Sequence, residues 1–195
     1  MAQLIGLLGK KGSGKDTLAS KLKEKGYQQY AFADPLKRGI QQFFDLSEEQ
    51  LYDEVLKETI DERWGVSPRM LFQIIGTEIF QHGIHEHLNL KVGPTQHWTF
   101  LFEEWYRKQQ ENNQAGLVVV SDVRFKHELE TIKKLGGKII KIVRPERNHN
   151  LDQHSSETYI DQVPTIEIDY LIQNDGTLNQ LFLKLDNALE YLQNQ

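Results

Sequence analysis

Gln3-Leu4-Ile5-Gly6-Leu7-Leu8-Gly9-Lys10-Lys11-Gly12-Ser13-Gly14-Lys15-Asp16-Thr17-Leu18 is the stretch on which the fold turns. Its first residues form a short apolar run that stops at a glycine-rich turn. Leu18 and Leu22 then recur at helical spacing until Gly26. The order is strand, loop, helix, and Gly9 to Lys15 satisfies G-x-x-x-x-G-K in the context that motif requires. Glycines let backbone approach an anion, amides at the helix N-terminus point at it, and a lysine supplies mobile positive charge. The stretch therefore reads as a phosphate-binding loop made of Gly9, Lys11, Gly12, Ser13, Gly14 and Lys15.

Working outward, Tyr27 to Ala33 reads as a second strand, and Pro35 suits the first turn of a helix carrying Leu36, Ile40, Phe43 and Phe44. Helical periods also mark Leu51 to Leu56, Met70 to Ile79 and Trp98 to Trp105. Leu117 to Val120 is a continuous apolar run of the kind a parallel strand buried on both faces needs, and Phe125, Leu129, Ile132 and Leu135 follow at helical spacing up to Gly136-Gly137. Ile139 to Val143 and Tyr170 to Ile172 are further strands. Asn174-Asp175-Gly176-Thr177 turns into a last helix marked by Leu178, Leu181, Leu185, Leu189 and Leu192. Strands alternating with helices imply an α/β fold, a parallel sheet with helices on both faces.

The chain has 195 residues, 38% hydrophobic and 26% charged, which fits one compact domain. A net charge of -5 argues against tracking a nucleic-acid backbone. The absence of cysteine excludes disulfides, thiolate nucleophiles and Cys-ligated metals, and is compatible with a reducing cytoplasm. No apolar run approaches the ~18 residues of a membrane span, so no membrane partner is expected. His149 to Pro164 lacks clear periodicity and is long for a connector, as a functional lid would be.

The loop with Ser13-Gly14-Lys15-Asp16-Thr17 resembles that of the deoxynucleoside monophosphate kinases of phages and large viruses. Ala33-Asp34-Pro35-Leu36-Lys37, then Arg69, Gln73 and Gly76-Thr77-Glu78, then Asp122-Val123-Arg124, Arg144-Pro145 and Asn174-Asp175-Gly176 follow in the family's order. The likeness spans nearly the whole chain. Animal-type phosphomevalonate kinases look similar at the loop and at the aspartate-x-arginine, and are the alternative enzyme reading. A nucleotide-binding module without transfer is the alternative of another class.

The resemblance implies a P-loop kinase fold with an acceptor-binding helical region at about 34–115 and a lid at about 144–165. It implies ATP and Mg²⁺ as the phosphoryl donor and its metal, small-molecule nucleotides as partners, DNA precursor synthesis as the setting and, by analogy, a homodimer. A nucleoside monophosphate is largely dianionic near pH 7, its second phosphate pKa being about 6, so its attacking oxygen needs no protein base. Catalysis then reduces to positioning and charge neutralisation.

Lys15, Arg124 and Arg144 are the expected catalytic cations. Arg144 is preferred to Arg147 as the arginine that swings from the lid over the transferred group. Asp16, standing where a hydroxyl residue usually follows the lysine, could hold Mg²⁺ or simply complement the helix dipole, and the Thr17 hydroxyl could reach a phosphate oxygen. Asp122, at the carboxyl end of its strand, could orient the metal through water or cap a helix. Asn174, Asp175 and Gly176 are expected to edge the adenine.

Asp34, Lys37, Arg38 and Arg69 are candidates for the acceptor phosphate, with helix capping, solvated charge or an ion pair as the plain readings. Gln73, Glu78 and Trp98 are candidates for reading the acceptor's base or sugar, although a Trp spaced with Leu101, Phe102 and Trp105 also suits a core. Glu157 and His154 resemble a lid motif of the family. His82, His85 and His87 form a local cluster that matches no metal-binding spacing.

Overall fold

In the computed structural model the described residues are 3–112, 116–145 and 155–194, without the side chains of 155–158. Arg147 and His154 lie outside them, as does the Glu157 side chain. The chain divides into two compact units, one of Met1–Ala31 with Trp105–Gln195 and one of Phe32–Glu104.

The first unit holds β1 (Leu4–Leu8), α1 (Lys15–Glu24) and β2 (Gln28–Tyr30). The second holds α2 (Asp34–Phe44), α3 (Glu48–Tyr52), α4 (Pro68–Gln73), a π-helix (Ile74–Gly83) and α5 (Ile84–His87). The helix α6 (His97–Glu111) belongs to both by residue number. The first unit then continues with β3 (Val118–Val123), α7 (Lys126–Lys134), β4 (Lys138–Val143), α8 (Ser155–Gln162), a 3-10 turn (Thr165–Glu167), β5 (Tyr170–Gln173) and α9 (Leu178–Gln193).

All five strands are parallel, in the order β2-β3-β1-β4-β5. The first strand is thus central: Ile5 pairs with Val119 on one side and Lys138 on the other. Its alternation assigns the two faces. Ile5 and Leu7 join Leu18, Ala19 and Leu22 of α1 and Leu181, Leu185 and Ala188 of α9 in one buried cluster. On the opposite face Gly6 leaves room for Ile132 of α7, whose Cδ1 would sit 2.7 Å from an added Cβ. Helices therefore cover both faces, as the fully apolar strands require.

Two helical expectations in the second unit are modified. The helical period over Leu51 to Leu56 yields helix only to Tyr52, because the Asp53 carboxylate accepts from the amides of Val55 and Leu56 at 2.9 and 2.8 Å and diverts the chain into turns. Met70 to Ile79 is α-helical to Gln73 and π-helical beyond it. Gly76 lies inside that π-helix, and an added Cβ would meet Leu36 Cδ2 at 2.5 Å.

Candidate active site

Between Leu8 and Lys15 the chain wraps into a tight loop. The Ser13 amide donates to the Lys10 carbonyl at 3.1 Å, and Gly12 and Gly14 take left-handed φ of 75° and 108°. That alternation aims successive amides to one side, which makes a nest for an anion. Gly9 is tied down by contact: a Cβ there would lie 2.6 Å from the Ile142 carbonyl and 2.6 Å from Ser13 Oγ.

Lys15 opens α1 and is only 6% exposed. Its ammonium donates to the carbonyls of Gly9 and Lys10, the latter at 2.8 Å. Ser13 Oγ is buried without a hydrogen-bond partner. A buried hydroxyl without a partner is costly unless a hydrogen-bonding group can enter, and phosphate oxygens are such acceptors, to which the neighbouring Lys15 ammonium can also turn. The residues present therefore fit a polyphosphate. Asp16, exposed in the first turn of α1, and half-buried Thr17 beside it line a cavity at this loop.

Two segments distant in sequence reach this loop, and a third lies beside the strand that enters it. From the end of β4, exposed Arg144 donates from Nη1 to the Gly12 carbonyl at 3.3 Å. From the turn before α9, the Asn174 amide donates to the Ser13 carbonyl at 2.9 Å. Lys184 fixes that turn by donating to the Gln173 carbonyl and Asp175 carboxylate at 2.7 and 2.6 Å, which also holds the Asp175 carboxyl below its ordinary range. The cavity so formed has a volume of about 320 Å³ and adds Gly176, Leu178 and Leu181 to its lining. Its lining combines the cations of Lys15 and Arg144 with two leucines. Thr177, not the turn itself, caps α9, through a reciprocal pair with Gln180.

The third segment is the end of β3, where Val123 pairs with Leu8. Half-buried Asp122 stands too early to cap α7, whose N-cap is Phe125, so the capping alternative for it falls away. Its neighbour Arg124 is also half-buried. Arg124 belongs to a turn that directly follows the strand carrying Asp122 and is held by Glu128, which the sequence reading did not single out. The Glu128 carboxyl is 4% exposed and accepts from the amides of Arg124 and Phe125 at 2.7 and 3.0 Å. Burial, and then the nearby Asp122 charge, push it up to about 8, against those amides. The signal for it was a Glu at the third position of the helix, half of a capping box.

The remaining candidates belong to the second unit. Asp34 is the first residue of α2, and Lys37 places its ammonium 4.2 Å over the Tyr52 ring. The Tyr52 hydroxyl is raised first by burial and then by Asp34 and Glu48, with Arg38 opposing, so Asp34, Lys37 and Arg38 share one neighbourhood around a tyrosine that spacing did not reveal. Arg69 is engaged: its amide donates to the Lys57 carbonyl and its Nε to Glu58 at 2.8 and 3.0 Å.

Gln73 and Glu78 are exposed. Trp98 is taken up by packing instead of being presented for stacking on a base. It is 7% exposed, donates to the Gly76 carbonyl at 3.1 Å and lies 5.4 and 4.7 Å from the rings of Phe80 and His97. Among the described residues no three His, Cys, Asp or Glu side chains gather as a metal site, the His82 to His87 stretch included. No described helix is long and apolar enough to cross a membrane.

A parallel sheet with the glycine loop following its central strand, and with cations and an asparagine converging on that loop, defines the P-loop kinase class. A dephospho-CoA kinase from Campylobacter jejuni shares this fold at a TM-score of 0.53 and 14% identity, over 98% of each chain. The sequence model of the deoxynucleotide monophosphate kinase family matches residues 46–185. The chain is 36% identical to a putative deoxynucleotide monophosphate kinase of Acanthamoeba polyphaga mimivirus over 96% of both chains. It is 30% identical over 68% of its length to the deoxynucleotide monophosphate kinase of Enterobacteria phage T4, of which it spans about half, 48%. The chain belongs to the deoxynucleotide monophosphate kinase family.

Proposed function

We propose that this chain transfers the γ-phosphoryl group of ATP to a deoxynucleoside 5'-monophosphate, giving ADP and the deoxynucleoside diphosphate. The observation that carries the reading is the phosphate cradle itself, with buried Lys15 and the partnerless Ser13 hydroxyl facing a loop of amides. Family membership favours a nucleotide acceptor over phosphomevalonate.

In the transfer, an oxygen of the acceptor phosphate bonds to the γ-phosphorus while the bond from that phosphorus to the β–γ bridging oxygen breaks, and ADP carries away the electron pair. No proton need be removed, since the acceptor is already dianionic near pH 7. Lys15 exchanges its loop carbonyls for β and γ oxygens. Arg144 already reaches the loop at Gly12 and meets charge on the group in flight. Arg124 is the second cation for that charge. Asp16 and Asp122 are the carboxylates proposed to hold Mg²⁺ directly or through its water, and Mg²⁺ when bound neutralises phosphate oxygens. Leu178 and Leu181 in the cavity lining suit the face of a purine, with the turn at Asn174 to Gly176 proposed along its edge. Asp34, Lys37, Arg38 and Arg69 are proposed for the acceptor phosphate, and Gln73 and Glu78 for its nucleoside.

The test is ADP release coupled to an indicator reaction, run with each deoxy- and ribonucleoside monophosphate, with phosphomevalonate, and without acceptor. Acceptor-dependent ADP release with at least one deoxynucleoside monophosphate is expected. Release with phosphomevalonate alone overturns the nucleotide assignment, and binding of ATP with no release on any acceptor makes the chain a binding module.

A further inference from the structure

We infer that Glu128 is a positioning residue of the transfer site, its buried carboxyl clasping the turn that carries Arg124 and follows the Asp122 strand end. One oxygen, Oε2, takes both amide protons of the turn, from Arg124 at 2.7 Å and from Phe125 at 3.0 Å. The residue is 4% exposed on a helix otherwise anchored by Leu129 and Ile132, which are 1% and 0% exposed. Ile132 in turn packs under Gly6 of β1. The clasp therefore refers the turn to the same strand that leads into the phosphate loop.

Stability alone is a poor reason for this choice. A capping interaction is worth about 0.5–2 kcal/mol at an exposed helix end, where the carboxyl keeps its water, whereas a buried carboxyl gives up that hydration and depends on its protein partners to replace it. What the buried carboxyl adds is a fixed place for the turn. Arg124, proposed to meet phosphate, stands in that turn, Asp122, proposed to meet metal water, stands at the strand end leading into it, and a displacement on the order of 1 Å can cost ~10²-fold in rate. The inference rests on those proposed roles.

The experiment compares the full-length wild type with Glu128→Ala and Glu128→Gln. It measures turnover against Mg²⁺ well below the melting temperature, and hydrogen exchange at the Arg124 and Phe125 amides. Gln keeps an oxygen that can accept both amides. It is expected to retain turnover within ~3-fold, the Mg²⁺ half-saturation and the slow exchange.

Ala is expected to lower kcat by ~10-fold or more, raise the Mg²⁺ half-saturation, leave the KM for ATP within ~3-fold, and speed exchange at both amides by at least ~10-fold. If Ala does not fold, Glu128→Asp, a methylene short of the turn, serves in its place. Loss of activity that only follows the folded fraction, with an unmoved Mg²⁺ curve, overturns the inference, as do amides that stay protected. A wild type inactive on every acceptor overturns the kinase reading instead, and the clasp is then decided by the amides.

Discussion

Replacing Gly14 by alanine probes how the phosphate loop is locked to the turn before α9. Alanine there must adopt φ 108° and ψ 12°, a left-handed backbone that costs an L residue about 1–2 kcal/mol. Its Cβ would also stand 2.7 Å from the Asn174 amide nitrogen, which is held by the Ser13 carbonyl at 2.9 Å. Relieving that approach breaks a hydrogen bond worth about 1 kcal/mol or leaves overpacking worth about 1–3 kcal/mol. Asn174→Ala alone forfeits only the hydrogen bond. In the double variant the hydrogen bond is lost once and the clash disappears, so the pair should cost about 1–3 kcal/mol less than the two single changes added. Urea unfolding of all four proteins measures the stability cycle. Titration of a non-hydrolysable ATP analogue, done in parallel, should show weakened binding for both single variants. Additivity within ~0.5 kcal/mol, the ordinary result for independent sites, would refute the coupling.

Lys15→Met should lower turnover by ~10²-fold or more with the fold intact by circular dichroism, since the ammonium meets charge that grows on the phosphates; undiminished turnover sinks the loop assignment. Asp16→Asn should raise the Mg²⁺ concentration needed for half-maximal turnover if the carboxylate contacts the metal, and an unshifted titration curve leaves it only the helix dipole. Glu128→Gln should melt higher than wild type, by a margin that widens with pH. The native carboxyl, pushed up to about 8, keeps its proton where the unfolded chain, near 4.5, has lost it, so wild-type stability falls between those two values. The gap corresponds to at most roughly 5 kcal/mol. Melting curves that run parallel from pH 5 to 8 contradict the raised carboxyl.

The loop region was legible because its signals are local. An apolar run, glycines at fixed spacing and a following helix need no knowledge of the rest of the chain. Arg144 and Asn174 were nameable from the residues around them, but their donation to the Gly12 and Ser13 carbonyls was not, since it crosses well over a hundred positions of sequence. Trp98 shows the converse: helical spacing fitted both a core and a stacking role, and only packing against Phe80 decided between them.

The helical period over Met70 to Ile79 did not announce that the segment turns π-helical after Gln73, because one extra residue per turn leaves a spacing close to that of an ordinary helix. Asp53 ended a helix by a side-chain bond that propensity understates. Tyr52 was missed because nothing in its spacing predicts that a lysine will lie over its ring.

The central position of β1 governs when nucleotide binding can arise during synthesis. Both hydrogen-bonded neighbours of β1 come from Val118 onward, so a chain released before that point exposes the strand along its two edges. The loop sequence emerges from the ribosome before the strands that flank it. Such widely separated pairings also close slowly. Nucleotide binding should accordingly be recovered with the last phase of refolding, and a nascent chain that stalls in its middle should depend on chaperones and not on substrate for its solubility.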